Sequence, residues 1–276
     1  MKVITATSLS VFTFVVWSMA AISASAAQAQ APAAPQKPYE PEIGQGGKDV
    51  VWVPTPAALV EKMLDMAQVT RDDLVMDLGS GDGRNIIAAA KRGARAIGVE
   101  YNPEMVALAT RLAQDAGVAD RATFVEGDMF TADISKATVM ALFLLPDNLE
   151  RLGPTLLGLA PGTRMVLNTF GIPEWEPDAK EELGEGYGSW CTALLYYVPA
   201  RVAGRWATSR GELVLRQEFQ MVAGTLTPPG GAAAAVSGRL RGADLTLTLT
   251  AEGETLRGTV TGDRIDGPLA ATRVAP

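Results

Sequence analysis

The chain has no histidine and one cysteine, Cys191. The first absence removes the commonest general base near neutral pH and the commonest metal ligand. The second excludes an intramolecular disulfide and a thiolate cluster, so no metal site is expected. Cys191 stands beside Trp190 and the run 193–197 and reads as a small buried hydrophobe rather than a nucleophile. No run of Lys or Arg resembles the footprint that a phosphate backbone requires, and the net charge is −7. Nucleic acid is therefore not expected as a partner.

What is present suits a folded chain. With 276 residues, 47% apolar and 20% charged, there is material for one α/β domain with a full core and a smaller appendage. Met1-Lys2, the apolar stretch Val11 to Ile22 and the small residues around Ala27-Gln28-Ala29 form the pattern of a secretory signal peptide. The apolar run is too short for an ordinary membrane span. Residues 1–29 are read as that signal, cleaved near Ala29 or at Ala26, and the protein as periplasmic or secreted. If the segment stays uncleaved it is a membrane anchor. Residues 30–49, rich in Ala, Pro, Gln and Gly, read as a mobile linker.

From Val50 the pattern becomes regular. Leu59, Val60, Met63, Leu64 and Met66 recur at helical spacing, with Thr55 fitting an N-cap before Pro56. Strand runs follow at 74–78, 94–100, 122–125, 138–145 and 164–168, with helical segments starting at Arg84 and covering 103–117 and 148–159. This order predicts a mostly parallel sheet with helices on both faces, and a ligand crevice at the carboxyl ends of the strands. Residues 171–188 read as a loop, and 191–198 as a strand that could close the sheet. Beyond Ala200 short alternating segments predict a small antiparallel sheet, sandwich or barrel, with alanines 232–235 in a flexible hairpin loop. The fold expected is thus α/β, Rossmann-like over 50–198, followed by a small all-β domain over 199–276.

The chemistry centres on one loop. A strand ending at Asp77 runs into Gly79-Ser80-Gly81-Asp82-Gly83 and directly into a helix. Glycines let the backbone approach a ligand, and the helix N-terminus presents free amide donors. Gly83-Arg84-Asn85 lacks the Gly-Lys-Ser/Thr ending of a P-loop. A dinucleotide fold requires G-x-G-x-x-G, and Asp77 would repel a pyrophosphate. S-adenosylmethionine (SAM) carries both charges on its amino acid end and matches a loop that mixes amide donors with carboxylates. Glu100, ending the second strand, is placed to accept both ribose hydroxyls. Asp128, after the third, is placed to accept from the adenine amino group, with Met129 and Tyr101 flanking the base. Arg84 either reaches a carboxylate of substrate or cofactor or pairs with Asp82.

Asp77-Leu78-Gly79-Ser80-Gly81-Asp82-Gly83-Arg84, Gly98-Val99-Glu100 and Glu126-Gly127-Asp128 resemble the Rossmann-like class I methyltransferases. Val53-Pro54-Thr55-Pro56, Asp72-Asp73-Leu74-Val75 and Phe143-Leu144-Leu145-Pro146 make the chain most similar to one branch. That branch includes the non-SET histone-lysine methyltransferases and the mitochondrial lysine methyltransferases acting on the adenine nucleotide translocase and on the ATP synthase c-subunit. The resemblance covers Val50 to Trp175. It implies that Thr55 lies over the methionine end of SAM and that Phe143 to Pro146 line the methyl-transfer channel. The alternatives are that Thr55 only caps its helix and that 143–145 are core.

The expected activity is N-methylation of a protein lysine, which must arrive neutral. A wall of Phe143, Leu144, Phe170 and Trp175 would favour that form by desolvation. A small-molecule amine acceptor, and a catalytically silent SAM-binding envelope protein, remain open alternatives. A secreted enzyme would also need SAM supplied from the cytoplasm. The sequence leaves the oligomeric state open.

Overall fold

The structure is a computed structural model that describes residues 39–184, 188–251 and 253–275. The expected signal peptide and residues 30–38 of the expected linker lie outside them. Among the described residues, no helix is long and apolar enough to cross a membrane.

Helix α1 (Ala57–Met66) leads into alternating strands and helices. These are β1 (Leu74–Leu78), α2 (Arg84–Lys91), β2 (Arg95–Glu100), α3 (Pro103–Asp115), β3 (Ala122–Glu126), β4 (Val139–Leu142), α4 (Pro146–Leu157) and β5 (Arg164–Asn168). β6 (Ala179–Glu182) and β7 (Thr192–Tyr197) complete a seven-stranded sheet in the order β3-β2-β1-β4-β5-β7-β6. The strands from β3 to β5 are parallel, whereas β7 is antiparallel to both its neighbours. Every residue of β4 is buried, as a strand covered on both faces requires. Leu59, Val60, Met63 and Leu64 of α1 pack with α2 on one face, and Leu149, Leu152 and Leu156 of α4 pack on the other.

Several expectations need correction at the sheet's far edge. β7 does not close the sheet but lies between β5 and β6, and β6 falls within the expected loop 171–188. All four residues of β6, Ala-Lys-Glu-Glu, are exposed. Such a strand carries no hydrophobic alternation, and its charges guard a sheet edge against unwanted pairing. Cys191 is half-buried, with its thiol donating to the Gly188 carbonyl at 3.2 Å. Thr55 does not cap α1; Pro56 holds that position without a side-chain cap.

The C-terminal segments form a closed barrel of β8 (Gly204–Thr208), β9 (Gly211–Glu218), β10 (Met221–Thr227), β11 (Ala234–Arg241), β12 (Asp244–Leu249), β13 (Thr255–Thr261), β14 (Arg264–Asp266) and β15 (Ala271–Arg273). Closure leaves no sheet edge exposed. Leu245, Leu247 and Leu249 point inward between half-buried Thr246 and Thr248, and Trp206, Leu213, Leu240 and Val260 fill the interior with them. Ala234 and Ala235, expected in a loop, begin β11, paired with Leu226 and Thr225. The barrel rests on the β6–β7 side of the sheet. There Trp175 stacks on Phe219 at 5.3 Å, Gln220 donates to the Glu176 carbonyl at 2.7 Å, and Arg239 pairs with Asp178.

Candidate functional site

The strand order reverses between β1 and β4, and the carboxyl ends of the strands on either side open onto a cleft. This is where an open α/β sheet takes its ligand. On the side of β1, β2 and β3 the cleft is lined by Gly79, Glu100, Tyr101, Asp128 and Met129; on the side of β4 and β5, by Phe143, Leu144 and Phe170.

The glycine loop is built for close approach. Gly79, Gly81 and Gly83 all have positive φ, where other residues are strained. A Cβ on Gly83 would lie 2.5 Å from the Phe124 ring, and one on Gly81 would lie 2.7 Å from Trp52 Nε1. The Gly81 N–H donates to Glu100 Oε2 at 2.9 Å, and the Asn102 N–H to Glu100 Oε1 at 3.0 Å. Glu100 is therefore fixed at the cleft before any ligand arrives. Ser80 is buried beneath the loop, its hydroxyl without a hydrogen-bond partner.

Asp77 is buried under this loop and does not line the cleft. It accepts from Asn85 Nδ2 at 3.0 Å, tying the loop to α2. Burial pushes its carboxyl well above the usual range; Asn85 opposes that shift, while the charges of Glu100 and Asp82 add to it. Arg84 resolves as a structural link: its Nε donates to Asp82 at 2.9 Å and its Nη1 to the Thr55 carbonyl at 2.6 Å.

Thr55 and Pro146 also lie outside the cleft lining. Thr55 is buried, its hydroxyl accepting from Asn168 Nδ2 at 3.3 Å. Pro146 is the exposed first residue of α4, where its fixed φ suits helix initiation. No motif points to Asn168, although its place at the end of β5 is a signal. It anchors a tight turn in which Thr169 has φ 59° and its N–H donates to the Thr192 carbonyl at 2.7 Å. A β-branched residue in that region costs about 1–3 kcal/mol. The turn directs Phe170 into the cleft, where its ring stacks 6.2 Å from Phe143.

Two further departures concern residues that carried no motif. Trp175, expected in the apolar wall, is buried against Tyr196 and Phe219 instead. Trp190, in the glycine-rich approach to β7, takes that place 6.4 Å from Phe143. Part of the expected linker is also structured. Residues 44–52 form a hairpin-like strap with a bridge between Gly46 and Val51, and residues 45–53 line the cleft. Its Lys48 donates to Asp128 at 2.6 Å and sits 4.8 Å from the Tyr101 ring centre. That hydrogen bond, followed by the Phe130 N–H, holds Asp128 below the usual carboxylate range.

Residues 77–179 match the family model of the ANTKMT methyltransferase domain. A protein-lysine N-methyltransferase of Saccharolobus islandicus (strain REY15A) is 45% identical over 140 residues, 50% of this chain and 87% of that protein. The adenine nucleotide translocase lysine N-methyltransferase of Mus musculus is 35% identical over 139 residues; the match spans 50% of this chain and 59% of the mouse protein. Among solved structures, an RNA methyltransferase from Salinibacter ruber in complex with S-adenosylhomocysteine is 43% identical, with a TM-score of 0.51. It matches over 54% of this chain and 96% of its own. The barrel strands, from Gly204 onward, lie outside the span of the family model.

Proposed function

This chain belongs to the class I SAM-dependent methyltransferases of the protein-lysine type, and on that footing we propose that it methylates the ε-amine of a protein lysine. The observation that carries the reading is the division of one cleft into a glycine-and-carboxylate side and an aromatic side. When bound, SAM supplies an electrophilic methyl group. The residues present fit it: the bare loop at Gly79 faces the amino acid end, Glu100 accepts from the ribose, and Asp128 accepts from adenine between Tyr101 and Met129. Phe143, Leu144 and Phe170 exclude water and favour the neutral amine. Positioning the amine in line with the methyl group does most of the catalytic work. Thr55 acts through Asn168 and Pro146 through the start of α4, as positioning residues rather than groups that touch the reacting atoms.

The acceptor is a protein rather than RNA on electrostatic grounds. The net charge is −7, and three of the cleft-lining residues are Asp49, Glu100 and Asp128. A phosphate backbone would be repelled there. The signal-like residues 1–29 support a location outside the cytoplasm, with SAM supplied across the membrane. Protease added to intact spheroplasts should then degrade the chain; complete protection would overturn that placement.

The central test is incubation of the full chain with methyl-labelled SAM and an envelope extract. Label should appear on protein lysine and vanish with Glu100→Ala. Label confined to RNA or to small molecules, or SAM binding without any transfer, would overturn the reading.

A further inference from the structure

Among the described residues, four that are not glycine have positive φ, and three of them meet in one place. Thr169 (59°) and Glu174 (62°) lie on the connection from β5 to β6, and Phe219 (48°) lies on the β9–β10 turn of the barrel. Backbone in that region costs free energy and persists only where its surroundings over-determine it.

The connection runs from the cleft to the barrel in a few packed steps. Phe170, at its start, lines the cleft. Gly171 passes over Tyr196, where an added Cβ would lie 2.7 Å from the hydroxyl oxygen. Ile172 is buried, and its carbonyl accepts from the Trp175 N–H at 3.2 Å. Trp175 is buried between Tyr196, edge-on at 5.5 Å, and Phe219, stacked at 5.3 Å with an interplanar angle of 11°. Gln220, only 3% exposed, donates to the Glu176 carbonyl at 2.7 Å.

The barrel turn suits this contact better than it suits itself. Phe219 and Gln220 alone connect β9 to β10, with Glu218 paired to Met221. A two-residue hairpin turn favours Gly, Asn or Asp where φ is positive. Phe219 is a poor choice for that position, yet its ring covers Trp175, and the Gln220 amide satisfies Glu176. Local preference is given up in this way where a distant contact matters.

We propose that the barrel positions the acceptor half of the cleft: Phe219 and Gln220 hold Trp175 and Glu176, and thereby fix the turn that presents Phe170 to the acceptor. Both are positioning residues, acting through the connection rather than on the reacting atoms. The inference rests on the methyltransferase reading for the role of Phe170, and it gives a task to the barrel, which lies beyond the span of the family model. The SAM half is lined from the ends of β1 to β3, the first turn of α3 and the strap, so its affinity for ligand should not depend on this contact.

The test compares the full chain with Phe219→Asn, Phe219→Tyr and Gln220→Ala, all saturated with S-adenosylhomocysteine. Asn suits the turn, so the barrel's own amides should stay protected while the stack on Trp175 is lost. Hydrogen exchange read by mass spectrometry should show the amides of residues 169–172 exchanging about tenfold faster in Phe219→Asn. Gln220→Ala should act in the same direction by about threefold, Phe219→Tyr should match the unaltered chain, and residues 79–83 should not change. With methyl-labelled SAM and the envelope extract, Phe219→Asn should label lysine about 10- to 100-fold more slowly at saturating SAM. The KM for SAM should stay within about twofold, and Phe219→Tyr should restore the rate. Unchanged exchange at 169–172 in both Phe219→Asn and Gln220→Ala, or faster exchange with an unchanged labelling rate, would overturn the positioning role alone. Failure of the unaltered chain to bind S-adenosylhomocysteine or to label lysine would remove the methyltransferase reading and this role together.

Discussion

The parallel sheet and the barrel are both β-structures packed with leucine, yet only one of them opens a site. Alternation along β12 sends every second side chain into an interior that is filled, and the ring of strands has no point where its order reverses. In the sheet, the reversal between β1 and β4 forces neighbouring loops to diverge, and the cleft occupies the gap. The position of a binding site is thus a consequence of connectivity, not of composition. The barrel's contacts with the sheet, through Phe219, Gln220 and Arg239, suit a module that braces the β6–β7 edge.

Damage to each half, read in both stability and binding, separates the two. Leu247 is fully buried in the barrel, so Leu247→Ala should lower unfolding free energy by about 2–5 kcal/mol in denaturant titrations. SAM affinity of the folded fraction should stay within about twofold; a larger loss would mean that the barrel shapes the cleft. Glu100→Ala should do the reverse. Losing a charged acceptor is worth about 1.5–3 kcal/mol, so calorimetry should show SAM binding about 10- to 150-fold weaker, with a smaller loss of stability than Leu247→Ala because only the Gly81 and Asn102 N–H groups lose their acceptor. Unaltered affinity would dissolve the assignment of the β2 end to the ribose.

Two smaller effects involve charged side chains of the sheet domain. Asp73, just before β1, accepts from the Thr70 N–H and from Thr138, and pairs with Arg164. Burial opposes ionisation there, but the hydrogen bonds and Arg164 prevail and hold its carboxyl below its ordinary value of 3.8. Its contribution to stability is therefore fully present above that value and is lost as pH falls through the lower folded value. Asp73→Asn should flatten the fall in thermal midpoint on acidification. An unchanged acid limb would show that this network carries no pH dependence. Lys48 lies on Asp128 and beside Tyr101, the residues proposed for adenine. Lys48→Ala should tighten S-adenosylhomocysteine binding about two- to fivefold at low salt, with the gain shrinking as salt rises. Weaker binding would mean that the strap holds the ligand rather than competing with it.

Most of the sheet was legible because its signals are local. Asp77 to Arg84 announces a strand, a tight loop and a helix in eight residues, and Glu100 and Asp128 stand at the ends of β2 and β3, where the period of two stops. What escaped had no local signal. β6 is a charged edge strand, the strap 44–52 is short and glycine-rich, and Trp190 sits among glycines and a serine. Trp175 misled for the opposite reason: its aromatic character suited the cleft, but its side chain found a deeper place against Tyr196 and Phe219.

The class of fold, the glycine loop and the carboxylates that follow it are written locally, since each depends on residues within a few positions of one another. Long-range packing closes the β segments into a barrel, brings Lys48 to Asp128 and gathers Phe143, Phe170 and Trp190 in one corner. Those outcomes depend on which strands become neighbours, and that is settled by the summed burial of three separate cores rather than by any short stretch of chain.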